Sequence, residues 1–149
     1  MKEMITGVLG AFGGTLAYTF LLNAPRVTVI PASLTAVLGY GIYLLMDAAG
    51  FGAMLSYFLP TVIITVICEI EARVMRMPST IFLLSALVPL VPGYAFYRAM
   101  LALVEDDGMA AASAGMEAVQ IVAAIAVGAA VSSVCFRTLA RRAAKRRPV

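Results

Sequence analysis

The segment Ser85-Ala-Leu-Val-Pro89-Leu-Val-Pro92-Gly93-Tyr94 is where this chain is best equipped to hold a small solute. Each proline removes a backbone donor and clashes with the carbonyl four residues back, and glycine permits a sharp turn, so no straight helix is expected through Pro89–Gly93. The residues from Ser79 to Val88 and from Tyr94 to Val104 make half-helices of about 15 and 16 Å. Together they fill one bilayer, with the break near its midplane. Unpaired backbone at that depth needs surrounding protein or a water-filled cavity, and broken helices of this kind form substrate sites in secondary transporters. The second half-helix starts near Gly93, where free amides and the positive end of the helix dipole suit a carboxylate. Arg98 lies about one turn further on, able to add a bidentate contact, with Tyr97 beside it. Pro89, Pro92, Gly93, Tyr94, Tyr97 and Arg98 are therefore the candidate substrate-binding residues. A plainer reading stays open: a kinked helix with Arg98 as an anchor that snorkels to the interface.

A second candidate is Glu69. Glu69, Arg73 and Arg76 fall on one helical face, with Glu71 nearly opposite. Glu69 sits just inside a membrane boundary, where a carboxylate can carry a proton during coupled transport. A paired helix end explains the same spacing. Asp47 reads as the end of the second helix.

No catalytic constellation accompanies these residues. The sequence has no histidine, no Ser/His/Asp set, no Walker loop and no metal-ligand cluster, so neither an enzyme nor a cofactor is expected. Cys68 and Cys135 stand alone in apolar runs, as packing residues do.

The elements that must position the candidates follow from composition. The chain has 149 residues, of which 62% are hydrophobic and 13% charged, and its mean hydropathy is +0.98. Uncharged runs cover Met4–Pro25, Val27–Met46, Ala48–Cys68, Met77–Tyr97 and Ala118–Phe136. Each is close to the ~20 residues that cross a bilayer. The expectation is an all-α, polytopic integral membrane protein of about five transmembrane helices in a single domain, residues 1–149. The spans run about 4–23, 31–47, 52–74, 79–104 (broken at 89–93) and 115–138, with a basic tail over 139–149. The first run is too long for a signal-peptide core and is kept as a helix. The second is expected to start at Pro31, which makes it short, tilted or partly re-entrant. The polar-leaning stretch Glu105–Gly115 is expected to form a short interfacial segment.

Six of the eleven basic residues lie between Arg137 and the C-terminus. This clustering marks a membrane-surface tail rather than a nucleic-acid footprint, and it fixes a cytoplasmic C-terminus. Loop charge does not separate five spans from four; run length favours five. Gly10 and Gly14, and Ala124, Gly128 and Ser132, form small-residue stripes that allow close helix contact, within this chain or with another subunit.

The stretches Met77-Pro78-Ser79-Thr80-Ile81-Phe82, Ala86-Leu87-Val88-Pro89-Leu90-Val91-Pro92-Gly93 and Tyr97-Arg98-Ala99-Met100 resemble the threonine/serine exporter family of the ThrE type. They resemble in particular its C-terminal membrane half, a separate small YjjB-like subunit in many bacteria. The shared pattern is a proline before the helix and then (I/V)-P-x-(V/F)-P-G-x-x-x-Y, all of which is kept. Pro89, Pro92, Gly93 and Tyr97 carry over, and Arg98 fits the amino-acid exporter side of the family. The resemblance implies secondary transport driven by an ion gradient, exporting threonine and serine or dicarboxylates such as succinate across the bacterial inner membrane. It also implies a YjjP-like partner subunit. The small size of the chain adds an expectation of assembly with that partner, with copies of itself, or both. The alternative is a scaffold subunit whose partner carries the translocation path.

Overall fold

The computed structural model describes the backbone of residues 2–145 and the side chains of residues 6–139. The chain forms α1 (Lys2–Leu21), α2 (Arg26–Ala48), α3 (Ala53–Met75), α4 (Ser79–Ala86), a 3₁₀ turn (Val88–Leu90), α5 (Gly93–Val104) and α6 (Gly108–Lys145). By length and composition α2, α3 and α6 each suffice to cross a membrane, and α4 and α5, bent by 41° at their break, make a fourth such segment. The apolar part of α1, Thr6–Leu21, is shorter.

Two expected boundaries move. The second span begins at Arg26, not at Pro31, which lies inside α2. A proline six positions into a helix denies one carbonyl its donor, here that of Val27, and membrane helices absorb a single loss of this kind. At 23 residues α2 reaches about 34 Å and is a full-length span. α3 likewise runs unbroken through Pro60. The second shift is at α6, a single helix from Gly108, so Glu105–Gly115 is not a separate segment. Its start is set by Asp107, whose Oδ1 accepts the Ala110 N–H at 3.0 Å, an N-cap at the third helical residue. Of the expected basic tail, the α6 backbone continues to Lys145, and the side chains beyond residue 139 lie outside the described residues.

The break after α4 is where the sequence places it. Pro89 has no N–H for the Ser85 carbonyl and Pro92 none for that of Val88; Val91 donates to Val88 instead, at 3.2 Å. Two donors lost within one turn end the helix, whereas one lost in α2 or α3 does not.

Helix order around the bundle follows from which helices pack. α3 lies along α2 and α6, α1 along α2, and α5 along α6, while α4 fits between α2 and α3. The core between α2, α3 and α4 contains Ala32, Ala36, Ile64, Cys68, Phe82, Ala86 and Leu90. Small residues bring backbones close: a Cβ at Gly128 of α6 would stand 3.2 Å from the Phe58 carbonyl oxygen of α3. The Ala124/Gly128/Ser132 stripe is thus buried inside the chain. The α1 stripe differs, because a Cβ at Gly10 or Gly14 would meet nothing within 4 Å.

The two ends of the bundle differ in charge. The Arg26 end of α2, the Arg73–Arg76 end of α3 and Arg137 of α6 lie at one end, which also holds Glu69. The other end carries Asp47, Glu117 and the Glu105–Asp107 turn, with Arg98 as the cation among the residues whose side chains are described.

Candidate functional site

The helix break opens onto a polar pocket of about 410 Å³. Its walls are Tyr40, Tyr43 and Asp47 of α2, Ala53 and Tyr57 of α3, Pro89, Val91 and Pro92 of the break, Tyr94 and Ala95 of α5, and Glu117 and Ile121 of α6. Tyr40, Tyr43 and Asp47 are spaced three and four apart, so α2 presents all of them on one face. The rings of Tyr43 and Tyr57 meet at a tilt of 43° with centroids 4.7 Å apart, and those of Tyr40 and Tyr43 are 5.7 Å apart. These rings make a semi-aromatic wall with hydroxyl tips, a surface that accepts an ammonium group.

The start of α5 contributes backbone. Pro92 is its N-cap residue, Gly93 donates to the Val91 carbonyl at 2.7 Å, and the first intrahelical bond runs from Phe96 N–H to the Pro92 carbonyl at 3.2 Å. The intervening amides of Tyr94 and Ala95 are the orphan donors of this helix start, and both residues line the pocket. The start of α5, with its orphan donors and positive dipole end, thus borders the pocket, whose lining also includes Asp47 and Glu117.

Of the sequence-derived candidates, Pro89, Pro92 and Tyr94 line this pocket, and Gly93 begins α5 beside it. Tyr97 is exposed and, with Arg98, is not part of the lining. Arg98 instead reaches Glu117 at 3.8 Å and packs over Tyr94 at 5.8 Å from the ring centroid, so it touches the site through two of its walls. Asp47, Glu117, Tyr40, Tyr43 and Tyr57 are lining residues that sequence reasoning passed over. The available signal was the Tyr40/Tyr43/Asp47 face.

Glu69 lies at the opposite end, 6% exposed. Its Oε1 accepts from Ser133 Oγ at 2.8 Å, Arg137 Nε at 3.1 Å and Ser79 Oγ at 3.3 Å. The partner cation therefore comes from α6, not from the next turns of α3, and the cluster ties α3, α4 and α6 together. Arg73 stacks over Phe136 at 4.8 Å. Glu71 turns to α2, accepting from Thr35 Oγ1 at 2.7 Å. Among the described residues no group of histidine, cysteine and carboxylate side chains could hold a metal ion.

A family model described as Threonine/Serine exporter, ThrE matches residues 7–135. This chain belongs to that family: it is a multi-pass membrane protein of an exporter family, not an enzyme, and its solute class is the amino acids threonine and serine. The match bears out the resemblance carried by the Pro-Gly motif. No solved structure matches the chain.

Proposed function

We propose that the pocket at the helix break binds the exported amino acid as a zwitterion, and that this chain is the membrane subunit of a secondary transporter. The observation that carries this reading is the pairing of opposite chemistries across one pocket. The Tyr94 and Ala95 amides suit the α-carboxylate, while Asp47, Glu117 and the tyrosine wall suit the α-ammonium. Arg98 shapes the site by holding Glu117. Two carboxylates in the wall repel a second carboxylate on the solute, which favours threonine and serine over succinate.

Charge asymmetry supports an inner-membrane orientation with the Glu69 end and the C-terminus in the cytoplasm. The pocket then reaches from mid-membrane toward the outer face. Glu69 is the coupling residue of this reading: a proton delivered to its carboxylate weakens the hold of Arg137 and frees α6 from α3. A YjjP-like subunit, with or without further copies of this chain, completes the path.

Gradient-driven efflux of labelled threonine, serine and succinate from proteoliposomes of the full chain and its co-purifying partner tests the reading. Threonine and serine efflux that collapses in Glu117→Gln and Asp47→Asn, in protein that still assembles, is expected. Wild-type activity in both variants would assign the path to the partner and leave this chain a scaffold.

A further inference from the structure

Buried hydroxyls in this bundle are mostly satisfied locally. Thr19, Thr61, Thr65 and Ser132 each donate to the carbonyl four residues back, and Thr28, Thr35 and Ser56 find other acceptors. Thr15, Ser33 and Ser85 differ: each is 0% exposed, and its hydroxyl has no hydrogen-bond partner. A membrane helix ordinarily avoids that cost by bonding a serine or threonine back to its own backbone. Three that do not are poised for something polar that visits.

The three share one level. Thr15 precedes the end of α1 by six residues, Ser33 follows the start of α2 by seven, and Ser85 follows the start of α4 by six, all measured from the Glu69 end. Each therefore stands about 9 to 10 Å in from that end. The three helices pack on one another.

Of the three, Thr15 lines a cavity, and Ser33 and Ser85 stand on the helices beside it. Thr15 lines a groove of about 210 Å³ with Gly7, Gly10, Gly14, Tyr40 and Pro89 among its walls. Ser33 lies two turns before Tyr40 on the same face of α2, and Ser85 lies one turn before Pro89. Tyr40 and Pro89 belong to the walls of both this groove and the polar pocket, so the two cavities adjoin there. Gly10 and Gly14 hold the groove open, since no neighbour in the chain fills the space a side chain would take.

We infer that the amino acid passes between the pocket and the Glu69 face by way of Tyr40 and Pro89, along the α1 groove, with Thr15 in the groove wall receiving its polar groups. The inference rests on the amino-acid site proposed above and extends it to the path and to selectivity. A hydroxyl is both donor and acceptor, so it can serve ammonium, carboxylate and a side-chain hydroxyl in turn without holding any of them as an ion pair would. Thr15 in the groove wall is the residue that distinguishes threonine from 2-aminobutyrate, the same molecule without the hydroxyl.

The test uses the same proteoliposomes with five variants. Gly14→Leu fills the groove, while Gly13→Leu adds the same side chain to an exposed α1 face outside it. Gly14→Leu is expected to abolish threonine efflux while equilibrium threonine binding persists, with Gly13→Leu active. Thr15→Val is expected to lower the threonine to 2-aminobutyrate efflux ratio by about fivefold, the value of one hydrogen bond, and Thr15→Ser to restore it. Full efflux in Gly14→Leu, or an unchanged ratio in Thr15→Val, overturns the inference. So does loss of partner association in Gly14→Leu on native mass spectrometry, which would make the groove a helix-docking surface. If Glu117→Gln still abolishes binding in the same preparation, the pocket reading survives that failure.

Discussion

Replacing Arg137 by alanine removes the cation from the most highly coordinated carboxylate among the described residues. Glu69 Oε1 would keep Ser133 at 2.8 Å and Ser79 at 3.3 Å but lose Arg137 at 3.1 Å. A hydrogen bond to a charged group contributes roughly 1.5–3 kcal/mol net. The Arg137 side chain is 58% exposed against 8% for Glu69, so solvent screens the arginine half of the pair. That places the loss at about 2 kcal/mol rather than the larger cost of splitting a fully buried pair. For a chain of this length each kcal/mol moves the melting temperature by about 2–4 °C, so Arg137→Ala should melt about 4–8 °C lower. Glu69→Gln keeps an acceptor for both serines and has no charge to strand, so about half that shift is expected. The double variant should melt no lower than Arg137→Ala, because the charge that alanine strands is gone. Thermal unfolding in nanodiscs, followed by size-exclusion chromatography of the survivors, reads all three. Additive losses, or an Arg137→Ala protein that melts with the wild type, would refute the view that Arg137 compensates a buried carboxylate.

Two further outcomes follow from packing. Thr15→Val, Ser33→Ala and Ser85→Ala each remove an unpaired buried hydroxyl, so each should raise stability by about 1 kcal/mol in the same unfolding assay, the reverse of most core substitutions. Gly128→Leu must push the Phe58 carbonyl of α3 away and should cost roughly 2–3 kcal/mol, whereas Gly13→Leu, whose Cβ meets nothing within 4 Å, should melt with the wild type.

The fold was legible where composition and backbone chemistry act locally. Five apolar runs and a double proline with glycine define helices and a break that depend on nothing distant. Pro31 misled because a proline's effect depends on how many neighbouring donors are also missing, and near it only one is. The start of α6 was hidden because an Asp cap at residue 107 shows itself only once the turn at Asp106, with φ 59°, is in place. The partner of Glu69 was not legible either. Spacing along α3 offered Arg73 and Arg76, yet the guanidinium that reaches it is 68 residues away on α6.

The site shows the same division in sharper form. Residues that bend the chain announce themselves, since Pro89, Pro92 and Gly93 act on their own backbone. The charged residues of the pocket do not, because a carboxylate in the last turn of α2 and another in the third turn of α6 show no sign of a shared pocket until α5 is bent toward them. Arg98 was the obvious anion binder by sequence, and the structure sets it 3.8 Å from Glu117, beside the pocket rather than in its lining. With Arg98 outside the lining, the positive end of the site falls to the α5 backbone. Under the proposed function, that consequence is what separates amino acids from dicarboxylates. In the proposed site a dipole end and two orphan amides hold one carboxylate, while the rest of the lining, with Asp47 and Glu117 in it, calls for the solute's other group to be cationic or neutral.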